Sequence, residues 1–251
     1  MNLGELPWTK VRDALASGAP CVALLPCGAV EAHGPHLPLN TDVIISEAFA
    51  REAAAQLRAQ GLHALILPSL AYAPAEYAAA FPGTIGVSAA TAKNVILEIA
   101  AVLKAQGFAC LAIANSHFDP ANVAMLRDAA ASARSLGIAV AFADFTRRAL
   151  AQTLTDEFIS GACHAGQFET SLVLAERPDL VDDSVRANLP SNDQSLVDAM
   201  ARGAKSFAEA GGADAYFGAP RGATAEEGRA SIAAMASALT HAVMTALSHP
   251  R

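Results

Sequence analysis

Cys21-Val22-Ala23-Leu24-Leu25-Pro26 is an unbroken apolar run, and the sequence changes character directly after it. The next stretch, Gly28-Ala29-Val30-Glu31-Ala32-His33-Gly34-Pro35-His36-Leu37-Pro38-Leu39-Asn40-Thr41-Asp42, places Glu31, His33, His36 and Asp42 within twelve residues. An apolar run of this length reads as a strand buried on both faces. The polar cluster then falls in the loop at the strand's carboxyl end, where open α/β sheets collect ligands and chemistry. Mixed imidazole and carboxylate donors suit Zn²⁺, Mn²⁺ or Fe²⁺.

Outward from this stretch, strand-like and helix-like segments alternate. A helix is expected over residues 42–60, ending at Gly61, and a strand over 64–67. A loop rich in Pro, Tyr and Gly runs from Pro68 to Gly86. A helix over 88–106 has Ser88 as its start signal and Gly107 as its stop signal. A third strand covers 108–114. A helix over 120–136 follows, with Pro120 in its first turn and Gly137 beyond its end. A fourth strand covers 138–143, and helices are expected around 166–176 and 224–247. This alternation predicts one α/β domain over residues 1–251, a three-layer αβα sandwich on a mostly parallel sheet. Residues 177–222 break the pattern and read as a lid, an edge hairpin, an oligomer contact or a plain surface excursion.

Composition narrows the function classes. Of 251 residues, 53% are hydrophobic and 16% charged, which argues against disorder. Much of the apolar content is Ala, as in tightly packed helices. The longest apolar stretches are interrupted well before the roughly 20 residues a membrane span needs. Met1-Asn2-Leu3-Gly4-Glu5-Leu6 lacks the basic and apolar regions of a signal peptide. A net charge of −7 without a basic run argues against a nucleic-acid partner. Cys21 and Cys110 read as inert core thiols. Cys27 and Cys163 lie near the suspected site, where an activated water makes a thiol nucleophile redundant. Unpaired spacings fit reduced thiols and a cytoplasmic location.

Two further loops carry the same residue types. Asn115-Ser116-His117-Phe118-Asp119-Pro120 follows the third strand, so His117 shares a sheet edge with the Glu31–Asp42 loop. Cys163-His164-Ala165-Gly166-Gln167-Phe168-Glu169 opens the helix near 166, with Glu169 in its first turn. Four of the seven histidines, His33, His36, His117 and His164, lie in these three loops. His63, His241 and His249 read as surface positions.

The segment from Leu25 to Asp42 resembles the signature of the creatininase (creatinine amidohydrolase) family. Phe81-Pro82-Gly83-Thr84, Asn115-Ser116-His117, His164-Ala165-Gly166 with Glu169-Thr170-Ser171, and Gly222-Ala223-Thr224-Ala225-Glu226-Glu227-Gly228 extend the likeness in the family's order. The resemblance implies a dinuclear metal centre holding two divalent ions, Zn²⁺ first, with Mn²⁺ or Fe²⁺ as alternatives. It places Glu31 and His117 on one metal, His33 on the second, and Asp42 across both. Either Asp119 or Glu169 completes the second site. The implied activity is amide hydrolysis by a water that the metal pair activates, with His164 shuttling the proton and Glu169 either binding metal or orienting His164. His36 is expected to brace the loop through a hydrogen bond.

The resemblance also implies a small-molecule amide substrate and a homo-oligomer, with a hexamer built from dimers as the candidate assembly. The family's namesake encloses its substrate with tryptophans. Here the sole Trp, Trp8, is far from every motif, and Phe118 and Phe168 take the neighbouring positions. Weak or absent creatinine turnover is therefore expected. Tyr72, Glu76 and Tyr77 are expected to contribute to the pocket, Phe81-Pro82-Gly83-Thr84 to shape its wall, and Arg221 to act as a structural or interface charge. The leading expectation is hydrolysis of a small cyclic amide. The alternatives are a formamide or other linear amide, or a non-catalytic metal-binding protein on the same scaffold.

Overall fold

The computed structural model describes residues 1–161 and 164–249. Among these, β1 (Cys21–Cys27), β2 (His63–Ile66), β3 (Cys110–Asn115) and β4 (Ala139–Phe142) form a parallel sheet in the order β2-β1-β3-β4. The helices are α1 (Trp8–Leu15), α2 (Thr41–Ala59), α3 (Ala89–Gln106), α4 (Pro120–Ser135), α5 (Arg148–Ala151), α6 (Asp156–Ser160), α7 (Gln167–Glu176), α8 (Asp183–Arg186), α9 (Leu196–Ala201) and α10 (Ala225–Ser248). Alternate side chains of β1 serve opposite faces. Cys21, Ala23 and Leu25 join Ile96 and Leu103 of α3 and Leu126 of α4. Val22 and Leu24 join Phe49 and Leu57 of α2, Leu172 of α7 and Leu239 of α10. The result is the three-layer α/β arrangement that the alternating pattern implies.

The local signals act as expected. Ser88 caps α3 by accepting the Thr91 N–H at 3.2 Å, and Gly107 ends it at φ 93°. Observed boundaries differ from the sequence reading by a residue or two: β1 runs on through Cys27, β2 begins at His63, and β3 is displaced to Cys110–Asn115. The helices α1, α5 and α6 are only eight, four and five residues long and were not among the expected elements. α10 has the length and hydropathy of a membrane span, a mean of 1.5 over its window, contrary to the reading that apolar stretches stop short. Its Ile232, Met235, Leu239 and Val243 are nevertheless buried in the core against α2 and α7.

Connectivity places the site. The chain leaves β1 for β2 on one side and enters β3 on the other, so the carboxyl ends of β1 and β3 flank the point where strand order reverses. That crevice is the usual ligand position in such sheets. Residues 177–222 form the short helices α8 and α9 and connecting turns rather than a hairpin of regular strands. An isolated antiparallel bridge joins Asn192 to Gly218, and Asn192 Nδ2 donates to the carbonyls of Gly211 and Tyr216 at 3.1 and 2.9 Å. Leu196, Phe207 and Phe217 of this segment pack with Ala32 and Ala78, which lays it over the crevice.

Candidate metal centre

Three connections hold the ends of β1 and β3 against the first turn of α2. Ser46 Oγ donates to the Cys27 carbonyl at 2.6 Å, and Ser116 Oγ donates to the Asp42 carbonyl at 2.6 Å. The Ser116 N–H donates to Ser46 Oγ at 3.1 Å. Gly28 permits the approach: a Cβ there would stand 2.6 Å from Val43 N and 2.8 Å from the Asp42 carbonyl carbon. Asp42 therefore enters the crevice from the start of α2, beside Glu31 and His33. His117 comes from the loop after β3, where Asn115 Nδ2 and Asn122 Nδ2 fix its carbonyl at 2.9 and 2.8 Å.

Glu31, His33, Asp42, His117, His164 and Glu169 are all buried. Two sets of donor atoms stand close enough to hold an ion each, Glu31–Asp42–His117 and His33–Asp42–Glu169, with Asp42 common to both. His117 Nδ1 is 3.2 Å from Glu31 Oε1 and 3.1 Å from Asp42 Oδ2. His33 Nε2 is 3.3 Å from Asp42 Oδ1 and 3.7 Å from Glu169 Oε2. A third grouping, Glu31–His33–His164, overlaps these.

The far side of each ring determines its tautomer. His117 Nε2 is 2.6 Å from the Pro74 carbonyl, and His33 Nδ1 is 3.1 Å from the Glu31 carbonyl. A carbonyl only accepts, so each of those nitrogens carries the proton and donates. The opposite nitrogens, His117 Nδ1 and His33 Nε2, then face carboxylate oxygens with lone pairs on both sides. His33 Nε2 and Asp42 Oδ2 are buried without a hydrogen-bond partner. Such acceptor pairs need a cation between them, either an extra proton or a metal.

The proton affinities follow the same logic. Burial alone would lower the His33 pKa, but Asp42, then Glu169 and Glu31, lift it to about 10. Burial opposes protonation of His117 too, and Glu31 and Asp42 raise its pKa well above the usual value. Asp42 is held well below the carboxylate range by His33 and His117 in spite of burial. Burial raises Glu169 to about 8, against the pull of His33. Burial, with His33 nearby, drives His164 well below the usual imidazole value. His164 Nε2 donates to the Ala32 carbonyl at 2.9 Å, and its Nδ1 faces Glu169 Oε2 at 4.0 Å.

Other expected site residues fall elsewhere. Asp119 is tied into the backbone: Oδ1 accepts the Ala121 N–H at 2.8 Å as the cap of α4, and Oδ2 accepts the Glu76 N–H at 3.1 Å. It borders the cavity but joins neither donor set. The Glu76 side chain is exposed and Tyr72 is 48% exposed, and neither lines the cavity. Tyr77 lines it instead, five residues after Tyr72. Phe118 lines the cavity as expected, and Phe168 is buried against Phe158 behind it. His36 donates or accepts at 2.9 Å with Thr170 Oγ1, next to Glu169, so it braces the start of α7. Arg221 is exposed. Cys27 is buried, with burial pushing its thiol up to about 12. Cys163 lies outside the described residues.

Sequence reasoning did not single out Leu196, Met200 and Phe207, which complete the cavity wall. The i, i+4 spacing of Leu196 and Met200 is the one signal that marks these two. The Phe207 ring lies 4.2 Å from the His164 ring, which lies 4.4 Å from the His33 ring. The cavity volume beside the donor atoms is about 40 Å³, and the cavity is partly open to solvent.

Comparison with known proteins agrees with this arrangement. The family model for creatininase, described as creatinine amidohydrolase, matches residues 4–243. Creatinine amidohydrolase of Pseudomonas putida is 31% identical over 217 residues, covering 78% of this chain and 81% of that protein. Mycofactocin precursor peptide peptidase of Mycobacterium ulcerans (strain Agy99) is 31% identical over 242 residues, covering 93% of this chain and 88% of that protein. A crystal structure of creatininase aligns with TM-score 0.74 at 28% identity, over 97% of this chain and 96% of that one. A manganese form of creatininase aligns with TM-score 0.70 at 29% identity, over 97% of each chain. Matched in sequence and fold along nearly its whole length, this chain is a metal-dependent amidohydrolase, distinct from creatininase itself, that belongs to the creatininase family.

Proposed function

We propose that the chain opens a small cyclic amide by hydrolysis at a dinuclear metal centre. Glu31, Asp42 and His117 would hold one ion, and His33, Asp42 and Glu169 the other, with Asp42 shared. The observation that carries this reading is the pair of lone-pair contacts meeting on Asp42, at 3.1 and 3.3 Å, each backed by an imidazole N–H on a carbonyl. Glu31, Asp42 and Glu169 add three buried carboxylates. Such a concentration of negative charge is costly unless cations compensate it. Imidazole with carboxylate suits Zn²⁺ best, with Mn²⁺ or Fe²⁺ as alternatives.

When bound, such a metal pair supplies a water acidified toward neutrality and polarises the amide carbonyl. The chain's residues do the rest. His164 is neutral, with Nδ1 facing Glu169 Oε2 at 4.0 Å, and would take a proton from the attacking water at that atom and return it to the leaving nitrogen as the C–N bond breaks. The Ala32 carbonyl fixes the His164 tautomer. Phe207 covers the outer face of His164 and excludes bulk water.

Linear amide hydrolysis is the second reading, supported by the peptide peptidase relatives at equal identity. Mass spectrometry of metal-loaded protein with a panel of lactams, formamides and short peptides separates the two. A lactam gains one water and stays a single product, whereas a linear amide yields two fragments. Turnover of linear amides alone would overturn the cyclic assignment. We also read residues 1–251 as one catalytic unit working in the cytoplasm, consistent with the free thiols of Cys21, Cys27 and Cys110. A homo-oligomer is supported by exposed apolar side chains such as Trp8, Ile85 and Val102.

A further inference from the structure

The cavity has two chemically distinct halves. One half is the acidic and imidazole cluster. The other is built from Tyr77, Phe118, Leu196, Met200 and Phe207, with Asp119 at its border. The polar atoms of this second half are already engaged within the protein. Tyr77 Oη donates to the Ala204 carbonyl at 2.8 Å, and the Asp119 carboxylate accepts backbone N–H groups from Ala121 and Glu76. No Lys or Arg is among the residues lining the cavity. Arg202 and Lys205 lie within the covering segment, but both are exposed and outside the wall.

From this we infer that residues 196–207 make the site selective for uncharged amides with an apolar body, and exclude substrates carrying a carboxylate beside the scissile bond. The inference rests on the metal-centre reading above and narrows its substrate class. A carboxylate drawn into the apolar half would lose its hydration and meet no cation. Asp119 at the border adds like-charge repulsion. An apolar group there meets only Leu196, Met200 and the aromatic rings, and gains from leaving water.

Paired hydroxamates test this, because a hydroxamate anchors to a divalent ion whether or not it can be hydrolysed. Butyrohydroxamate and succinate monohydroxamate match in length and differ by a terminal carboxylate. Titration calorimetry of the zinc-loaded wild-type protein is expected to give at least about tenfold tighter binding of butyrohydroxamate. The preference should persist in 0.5 M salt, which screens the long-range effect of the −7 charge. Met200→Arg, a half-buried position with room to extend outward, should reduce the ratio at least about tenfold. Equal or tighter binding of succinate monohydroxamate by the wild type overturns the inference, whatever the variant does. Absence of binding by either probe overturns the metal-centre reading and this inference with it. A neutral preference without lactam turnover upholds the inference and removes only the cyclic substrate.

Discussion

His117 Nδ1 lies 3.1 Å from Asp42 Oδ2 while its Nε2 donates to the Pro74 carbonyl at 2.6 Å. One ring thus links the loop before α3 to the first turn of α2, with its lone pair directed at a carboxylate. His117→Ala is expected to remove one of about two metal equivalents per chain, measured by elemental analysis after purification without added metal. Ligand loss of this kind should abolish amide turnover. Retention of both equivalents would discard the Glu31–Asp42–His117 assignment.

Glu169 and Asp119 divide the second assignment. Glu169→Gln should weaken the second metal at least about tenfold, because an amide is a poorer ligand than a carboxylate. Asp119→Asn should keep both metals but lose charge-assisted bonds to two backbone N–H groups, at about 1.5–3 kcal/mol each as an upper range for this buried side chain. Metal titration and thermal melting of the two variants separate these effects. The reverse pattern would give the ligand role to Asp119.

Chelation should expose a pH dependence. His33, at about 10, and Glu169, at about 8, both sit above their unfolded values of 6.5 and 4.5. Folded, metal-stripped protein therefore binds more protons than unfolded chain in this range, and stability falls as pH rises. The Glu169 contribution is complete below about 4.5 and gone above about 8. The His33 contribution is complete below about 6.5 and gone above about 10. Melting temperatures of chelated protein should fall steadily from pH 6 to pH 9, and metal uptake should release protons. A midpoint that rises over this interval would contradict the raised values.

Gly28→Ala probes the approach of β1 to α2. The added methyl group meets backbone of Asp42 and Val43 at 2.6–2.8 Å, so the first turn of α2 must move. A shift of several tenths of an ångström displaces Asp42 from both donor sets. Both metals should bind at least about tenfold more weakly, while destabilisation stays in the 1–3 kcal/mol range of an overpacked site. Native metal affinity in the folded variant would show that the approach is not limiting.

Creatinine is expected to be turned over slowly or not at all. Trp8 is 71% exposed on α1, remote from the cavity, so no indole encloses the substrate. A creatinine assay of metal-loaded protein checks this, and an ordinary enzymatic rate would refute it.

The fold was readable because β1 and β3 are continuous apolar runs and because Ser88, Gly107 and Pro120 mark helix ends by their own chemistry. Glu31, His33, Asp42, His117 and His164 were readable because local spacing places them just beyond strands or at a helix start. Asp119 and Glu169 looked equivalent in the sequence. They differ through backbone N–H groups of Ala165, which occupies Glu169 Oε2 alone at 2.6 Å, and of Glu76, distant in sequence, which helps to occupy Asp119. Tyr72 and Tyr77 were likewise inseparable until the turn between them set one outward and one inward. Leu196 and Met200 lie on the short helix α9 and Phe207 on the turn after it, and their position depends on contacts with Ala32 and Ala78, far earlier in the chain.

The sheet order has a consequence for how the protein matures. The donor atoms come from three stretches that meet only when β3 has paired with β1 and α7 has docked on α2. A partly folded chain therefore offers Glu31, His33 and Asp42 without the His117 and Glu169 that complete the two donor sets. Tight capture of an ion becomes the last event in assembly, so the loaded centre acts as a molecular certificate that the whole chain has reached its final topology.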